Sequence, residues 1–260
     1  MDRQFFKVEK EAGVTTVTFH RPPVNALSTQ ALQELEGIAD ELKQDKETKV
    51  IVLASQNPNV FIAGADIKEF PALTSKAQAQ AASSRGQAIL NKIETIGKPV
   101  IAAVNAICLG GGMELVMACH IRIASDRSRF GQPEITLGIV PAFGGTQRLP
   151  RIVGLSKATE LILTGDTITA QEAFRIGLVN RVVPDRDLMK QAKGLAKQIA
   201  SKGAVAIEKT MAVIDQSRRL TLEEGLKLEA SVFGELCETE DMKEGVTAFL
   251  EKRQPQFKNK

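Results

Sequence analysis

From Val14 to His20 (VTTVTFH) apolar and polar positions alternate, the pattern of a strand with one wet face. Pro22-Pro23 ends it. From Ser28 the period changes. Leu32, Leu35, Ile38, Ala39 and Leu42 share one side of a helix, so the spacing predicts a helix over 28–44 with Ser28 as N-cap. Lys49 to Ala54 (KVIVLA) and Pro99 to Asn105 (PVIAAVN) are short and almost wholly apolar, as strands buried on both faces are. Between them an Ala- and Gln-rich stretch predicts a long helix over 75–96, stopped by Gly97 with Pro99 just beyond. A triple glycine then leads into a short helix starting near Gly112, and HIRIAS at 120–125 returns as a strand. Strands separated by helices imply parallel crossovers. From about Gly144 almost every segment reads as helical, and Thr169-x-x-Glu172 and Thr221-x-x-Glu224 have the spacing of capping boxes. The pattern divides the chain into an α/β core, residues 1–190, and a helical C-terminal region, residues 191–260.

Composition narrows the classes. The chain has 260 residues, 43% of them apolar, with no Trp and no Tyr, so a sizeable core must be built from aliphatic residues and Phe. A net charge of +3 leaves no basic footprint for nucleic acid or a polybasic membrane contact. Cys108, Cys119 and Cys237 are odd in number and lack C-x-x-C spacing, which fits a reducing compartment and suggests neither a disulfide framework nor a zinc site. The N-terminal MDRQFFKVEKEAG has no secretory h-region, and no run approaches the ~18 apolar residues of a membrane span. The expectation is a cytoplasmic protein, although a processed organellar one would read the same.

Several motifs fail. A dinucleotide fingerprint beginning at Gly110 needs glycine where Leu115 stands, and no P-loop occurs. His20 and His120 are the only histidines, without metal-ligand spacing, and no G-x-S-x-G elbow appears. No metal site is expected. What remains is two carboxylates in similar settings, Glu114 within GGGMELVMA and Glu134 within GQPEITLG, each at a junction after a strand. Parallel α/β folds gather their sites at such ends. Glu114 could be ordinary acidic charge in a helix's first turn, and Glu134 an ion-pair partner of Arg148 or Arg122. Against that, Gly110-Gly111-Gly112 at a helix start and the small-residue turn Gly64-Ala65-Asp66 each offer backbone N–H groups to a ligand. Two such donors suit a developing oxyanion, and two carboxylates suit proton transfers beside it.

The segments FIAGADIKEF, KPVIAAVNAICLGGGMEL, RFGQPEITLGIVPAFGGTQRLPR, LTGDTITAQEAFRIGLVNRVVP and ETEDMKEGVTAFLEKRQPQF resemble the enoyl-CoA hydratase (crotonase) family, in order and nearly end to end. The resemblance implies a crotonase-like spiral of repeated ββα units with a helical C-terminal trimerisation region, assembled as a homotrimer or homohexamer. It implies a lyase that adds water across the 2,3 double bond of a 2-enoyl-CoA in fatty-acid β-oxidation. No cofactor is implied, since coenzyme A belongs to the substrate. Glu114 and Glu134 match the family's catalytic glutamates, and Ala65 and Gly111 its oxyanion-hole N–H groups. Ala63, Ala65, Asp66, Ile67, Lys68 and Gly111 would line the acyl-CoA site, with Ala26 beside them. His120, Ala142, Phe143 and Met113 depart from commonly seen family residues. Enoyl-CoA isomerases typically lack the acid at Glu114. An RNA-binding branch is the alternative of another class, poorly served by a 75–96 helix whose basic residues are Lys76, Arg85 and Lys92.

Overall fold

The computed structural model describes residues 3–260. β1 (Phe6–Glu11) and β2 (Val14–Phe19) pair antiparallel. β1 has no counterpart in the sequence pattern, because FKVEKE fully buries only Phe6. α1 (Thr29–Gln44) follows, with the Ser28 hydroxyl accepting from Ala31 N at 3.2 Å, and it buries the five positions that the spacing selects. Three ββα turns come next. β3 (Val50–Ser55) and β4 (Val60–Ile62) lead to α2 (Lys76–Glu94), and β5 (Val100–Val104) and β6 (Ile107–Leu109) lead to α3 (Gly111–Ala118). β7 (Ile121–Ser125) and β8 (Arg129–Gly131) lead to α4 (Gly145–Val153). After α5 (Leu155–Thr164) come β9 (Thr167–Thr169), α6 (Ala170–Arg175) and β10 (Arg181–Val183). The chain closes with α7 (Leu188–Ala200), α8 (Ala204–Gln216), α9 (Leu222–Cys237) and α10 (Glu240–Leu250).

The first strand of each ββ pair joins a six-stranded sheet, β1-β2-β3-β5-β7-β10, and the second joins a four-stranded one, β4-β6-β8-β9. From β2 to β10 the larger sheet is parallel, as the crossovers imply. Stepping between two sheets at every turn makes the spiral that the resemblance implies. β3 and β5 are buried on both faces. One face, with Ile51, Leu53, Val100, Ala102 and Val104, packs into the main core beneath α1, α2 and α3. The other, with Val50, Val52, Ile101 and Ala103 joined by Ile123 of β7, is covered by α7 through Leu188, Ala192, Ala196 and Ala200. That four-residue spacing puts small side chains on one stripe, so the helix lies close to the sheet.

The boundary expected at residue 190 falls inside α7, which belongs to the sheet's packing. The change in character comes after Gly203. α8 and α9 bury no residue at all and expose Leu222, Leu226 and Phe233. Thr221 and Glu224 form the reciprocal capping box at the start of α9. Thr169 caps α6, but Glu172 turns its carboxylate to Arg175 instead of back to the cap. No helix among the described residues is long and apolar enough to cross a membrane.

For function the smaller sheet matters most. β4, β6 and β8 are parallel neighbours, so their C-terminal ends lie side by side. Those ends run straight into Ala63-Gly64-Ala65, Gly110-Gly111-Gly112 and Gln132-Pro133-Glu134.

Candidate active site

α3 starts hard against β4. A Cβ on Gly112 would stand 2.6 Å from the Ile62 side chain and carbonyl, so only glycine lets the helix end approach this strand. Gly110 has φ 50° and ψ −126°, a conformation that side-chain-bearing residues rarely adopt. Together they bring Gly111 to Ala65: the Cβ position of Gly111 is 3.3 Å from Ala65 N, and that of Gly64 is 3.8 Å from Gly111 N. Ala65 bridges to Leu27 through the bonds Leu27 N to Gly64 O and Asp66 N to Leu27 O, which leave its own N–H uncommitted. Gly111 is the first residue of α3, where the N–H has no partner within the helix. Two donors without a partner among the described residues therefore stand side by side at a helix N-terminus, as the two small-residue turns suggest.

Glu114 is 1% exposed. It does not act on its own helix end, the ordinary alternative. Its Oε1 accepts from Phe143 N at 2.8 Å, in the loop before α4, and from Gly145 N at 2.7 Å, at the first residue of α4. Burial pushes its pKa up to about 7, and the like charge of Glu134 adds to this, while the two N–H groups and Arg148 pull the other way. It is thus poised to exchange a proton near neutrality. Glu134 sits in the 3-10 turn Pro133–Leu137, with Oε1 2.7 Å from the Cβ position of Gly110 and Oε2 without a hydrogen-bond partner among the described residues. Burial raises its pKa as well. Neither proposed ion-pair partner reaches it: Arg148 is taken by Glu94, and Arg122 donates to the carbonyls of Leu178 and Cys119.

The loop that holds Glu114 is itself held. Arg148 donates to Phe143 O at 3.0 Å, to Asn91 Oδ1 at 2.5 Å and to Glu94 Oε2 at 2.8 and 3.0 Å. Ser83 and Gln87 on α2 donate to Ala142 O at 2.7 and 2.9 Å. The Phe143 ring fills the gap between α2 and the glycine turn. A Cβ on Gly86 would fall 2.3 Å from the ring, and one on Gly111 would fall 3.2 Å from it. His120 takes a structural place nearby. Its Nδ1 accepts from Val100 N at 3.0 Å, and its Nε2 lies 3.1 Å from Glu94 O. Desolvation lowers its pKa, in the same sense as the accepting role of Nδ1. Sequence reasoning finds the carboxylates and the glycine turns but misses Gly145 and Arg148 as supports of Glu114. No local signal marks them, because Gly145 acts through its backbone N–H and the partners of Arg148 lie far away in the chain.

Along the rim, Ala63 and Ala65 are half-buried, and Ile67 and Lys68 are exposed. Asp66 is buried and caps the following 3-10 turn through Lys68 N at 3.2 Å. Its burial would raise the pKa, but the Arg21 ion pair at 2.6 Å and the cap prevail and lower it. Arg21 also donates to Ala26 O at 3.1 Å, so Ala26 joins the same rim. The sequence-selected residues are therefore brought together at one place.

A parallel spiral carrying two backbone donors and two raised carboxylates defines a crotonase-fold protein. The sequence profile of the enoyl-CoA hydratase/isomerase family matches residues 9–260, and the chain belongs to that family. It is 45% identical over 246 residues to a probable enoyl-CoA hydratase of Bacillus subtilis, covering 94% of this chain and 95% of that one. It is 43% identical to a short-chain-enoyl-CoA hydratase of Clostridium acetobutylicum and 42% identical to a crotonyl-CoA hydratase of Syntrophomonas wolfei, each match covering 97% of both chains. The crystal structure of an enoyl-CoA hydratase from Bacillus anthracis superposes with a TM-score of 0.95 at 39% identity, covering 99% of this chain and 100% of that one.

Proposed function

We propose that the protein is an enoyl-CoA hydratase acting on short 2-enoyl-CoA thioesters, converting them to 3-hydroxyacyl-CoA. The observation that carries this reading is Glu114, a carboxylate buried at a cost and held by two N–H groups beside Glu134 and the paired donors of Ala65 and Gly111. In the reaction, ionised Glu114 takes a proton from water as its oxygen bonds to C3. The C2–C3 π electrons move toward C1, and charge gathers on the thioester oxygen, where Ala65 N–H and Gly111 N–H receive it. Glu134, protonated, delivers a proton to C2. Both carboxylates lie where double ionisation is disfavoured, so the pair can carry one proton into the reaction. These groups supply the whole sequence of proton transfers without a resident cofactor. The role fits β-oxidation in a reducing, cytoplasmic setting, consistent with the free thiols Cys108, Cys119 and Cys237. The RNA-binding alternative gains no support, as Lys92 and Arg85 on α2 face Glu36 and Asp40.

The short-chain preference rests on the Phe143 ring, wedged against Gly86 and beside Gly111, where it would cap the acyl tail. The names of the relatives from C. acetobutylicum and S. wolfei point the same way. Phe143→Ala keeps the backbone N–H on Glu114 and opens that wall. It should raise kcat/KM for decenoyl-CoA relative to crotonyl-CoA by about tenfold or more, the scale of a few methylenes in an apolar pocket. A ratio equal to that of the unaltered enzyme across crotonyl-, hexenoyl- and decenoyl-CoA would contradict this.

The exposed apolar side chains of α9 and α10, with Phe233 68%, Phe249 83% and Leu250 74% exposed, support assembly through this region. Light scattering should give three times the 28.1 kDa chain mass, or six times if trimers pair. A monomer at micromolar concentration would contradict it.

A further inference from the structure

Gln132 is fully buried between the Gly110 turn and the Gly144-Gly145 start of α4, and takes no part in the proton transfers. Its Nε2 donates to Gly110 O at 3.1 Å. Its Oε1 lies 2.5 Å from the Cβ position of Gly145, the residue whose N–H holds Glu114, and has no donor in reach among the described residues. A buried amide with an orphan acceptor is unfavourable for folding. The bond it does make is not needed to satisfy Gly110, since that carbonyl also accepts from Glu114 N at 2.9 Å. Stability alone gives no reason for an amide here.

The chemistry gives one. Gly110 C=O and Gly111 N–H are the two ends of one planar peptide unit. A second donor on the carbonyl fixes the tilt of that plane and draws electron density toward oxygen, which makes the N–H a stronger donor. We propose that Gln132 is a positioning residue for hydration, acting through the Gly110–Gly111 peptide to aim and polarise the Gly111 N–H toward the thioester oxygen. This rests on the oxyanion role given to Gly111 above. Cooperative strengthening of ~10–30% per bond, applied to a donor worth about a hundred- to a thousandfold, amounts to a factor of about two to eight in rate.

Gln132→Met keeps the length and burial of the side chain while removing both the donor and the orphan acceptor. For crotonyl-CoA, kcat should fall about two- to eightfold with KM within about twofold, and Tm should hold or rise. The spectroscopic probe is unreactive butanoyl-CoA carrying 13C at the thioester carbonyl. Its C=O stretch should drop to lower frequency on binding the unaltered protein, and drop less on binding the variant. Should Gln132→Met not fold, Gln132→Asn withdraws the donor by one methylene and carries the same expectation. If the unaltered protein leaves the stretch at its solution value, the oxyanion reading itself fails. If the unaltered protein lowers it and the variant lowers it equally, the inference about Gln132 is overturned, whether kcat is unchanged or falls together with Tm.

Discussion

Glu114→Gln should lose hydration of crotonyl-CoA by about a hundred- to ten-thousandfold while becoming more stable above neutral pH. The rate loss follows because an amide cannot accept water's proton, and a positioned base is worth about that much. The gain in stability follows from the buried charge. Glu114 has its pKa raised from 4.5 to about 7 by burial, so between those values the folded protein binds more protons than the unfolded chain. Stability therefore falls as pH rises through that window and stays lower above it. The penalty at pH 8 is on the order of 3 kcal/mol for a shift from 4.5 to about 7. The uncharged amide of the Glu114→Gln variant escapes it and can still accept from Phe143 N and Gly145 N. Thermal melts should thus show the variant above the unaltered protein at pH 8, with the gap closing toward pH 5. In the unaltered enzyme kcat/KM should rise with pH through about 7, the Glu114 value, and this limb should vanish in the variant. Glu134→Gln should lose comparable activity, and the double variant should be little worse than the worse single one, because the two act as a unit. A Glu114→Gln protein that hydrates normally but melts early at pH 8 would make Glu114 a structural charge.

Gly111→Pro should cost about a hundred- to a thousandfold in kcat by deleting one oxyanion donor. Proline is well suited to the first position of a helix, which Gly111 occupies in α3. The new Cβ would meet the Phe143 ring at 3.2 Å and Ala65 N at 3.3 Å, contacts that call for shifts of a few tenths of an ångström. Affinity for the CoA portion should change less than kcat. Gly110→Ala should be damaging too, since Gly110 has positive φ and its Cβ would fall 2.7 Å from Glu134 Oε1. Near-normal turnover by a folded Gly111→Pro protein would remove Gly111 from the oxyanion hole.

Much of this was legible in the sequence for a physical reason. α1 carries a clear period with its cap at Ser28, α2 is a long Ala- and Gln-rich run stopped at Gly97, and β3 and β5 stand out as unbroken apolar runs. The strands of the smaller sheet are three residues each, too short to show a period, and that sheet is what aligns the site. The glycine turns announced themselves because each needs glycine for space or for positive φ. The supports of Glu114 did not, because Phe143 and Gly145 act through backbone N–H groups and almost any residue type carries one. Arg148 reaches Glu94 and Asn91 across more than fifty residues, a pairing that local spacing cannot encode. Gln132 likewise became visible only once Gly110 and Gly145 stood on either side of it.

The most direct measurement is to incubate the purified protein with crotonyl-CoA in 18O-labelled water and follow the enoyl thioester absorbance and the product mass. Loss of absorbance with one 18O at C3 of 3-hydroxybutanoyl-CoA is the predicted result, abolished in the Glu114→Gln, Glu134→Gln double variant. Persistent absorbance, or conversion to a 3-enoyl isomer without 18O, would contradict the hydratase account.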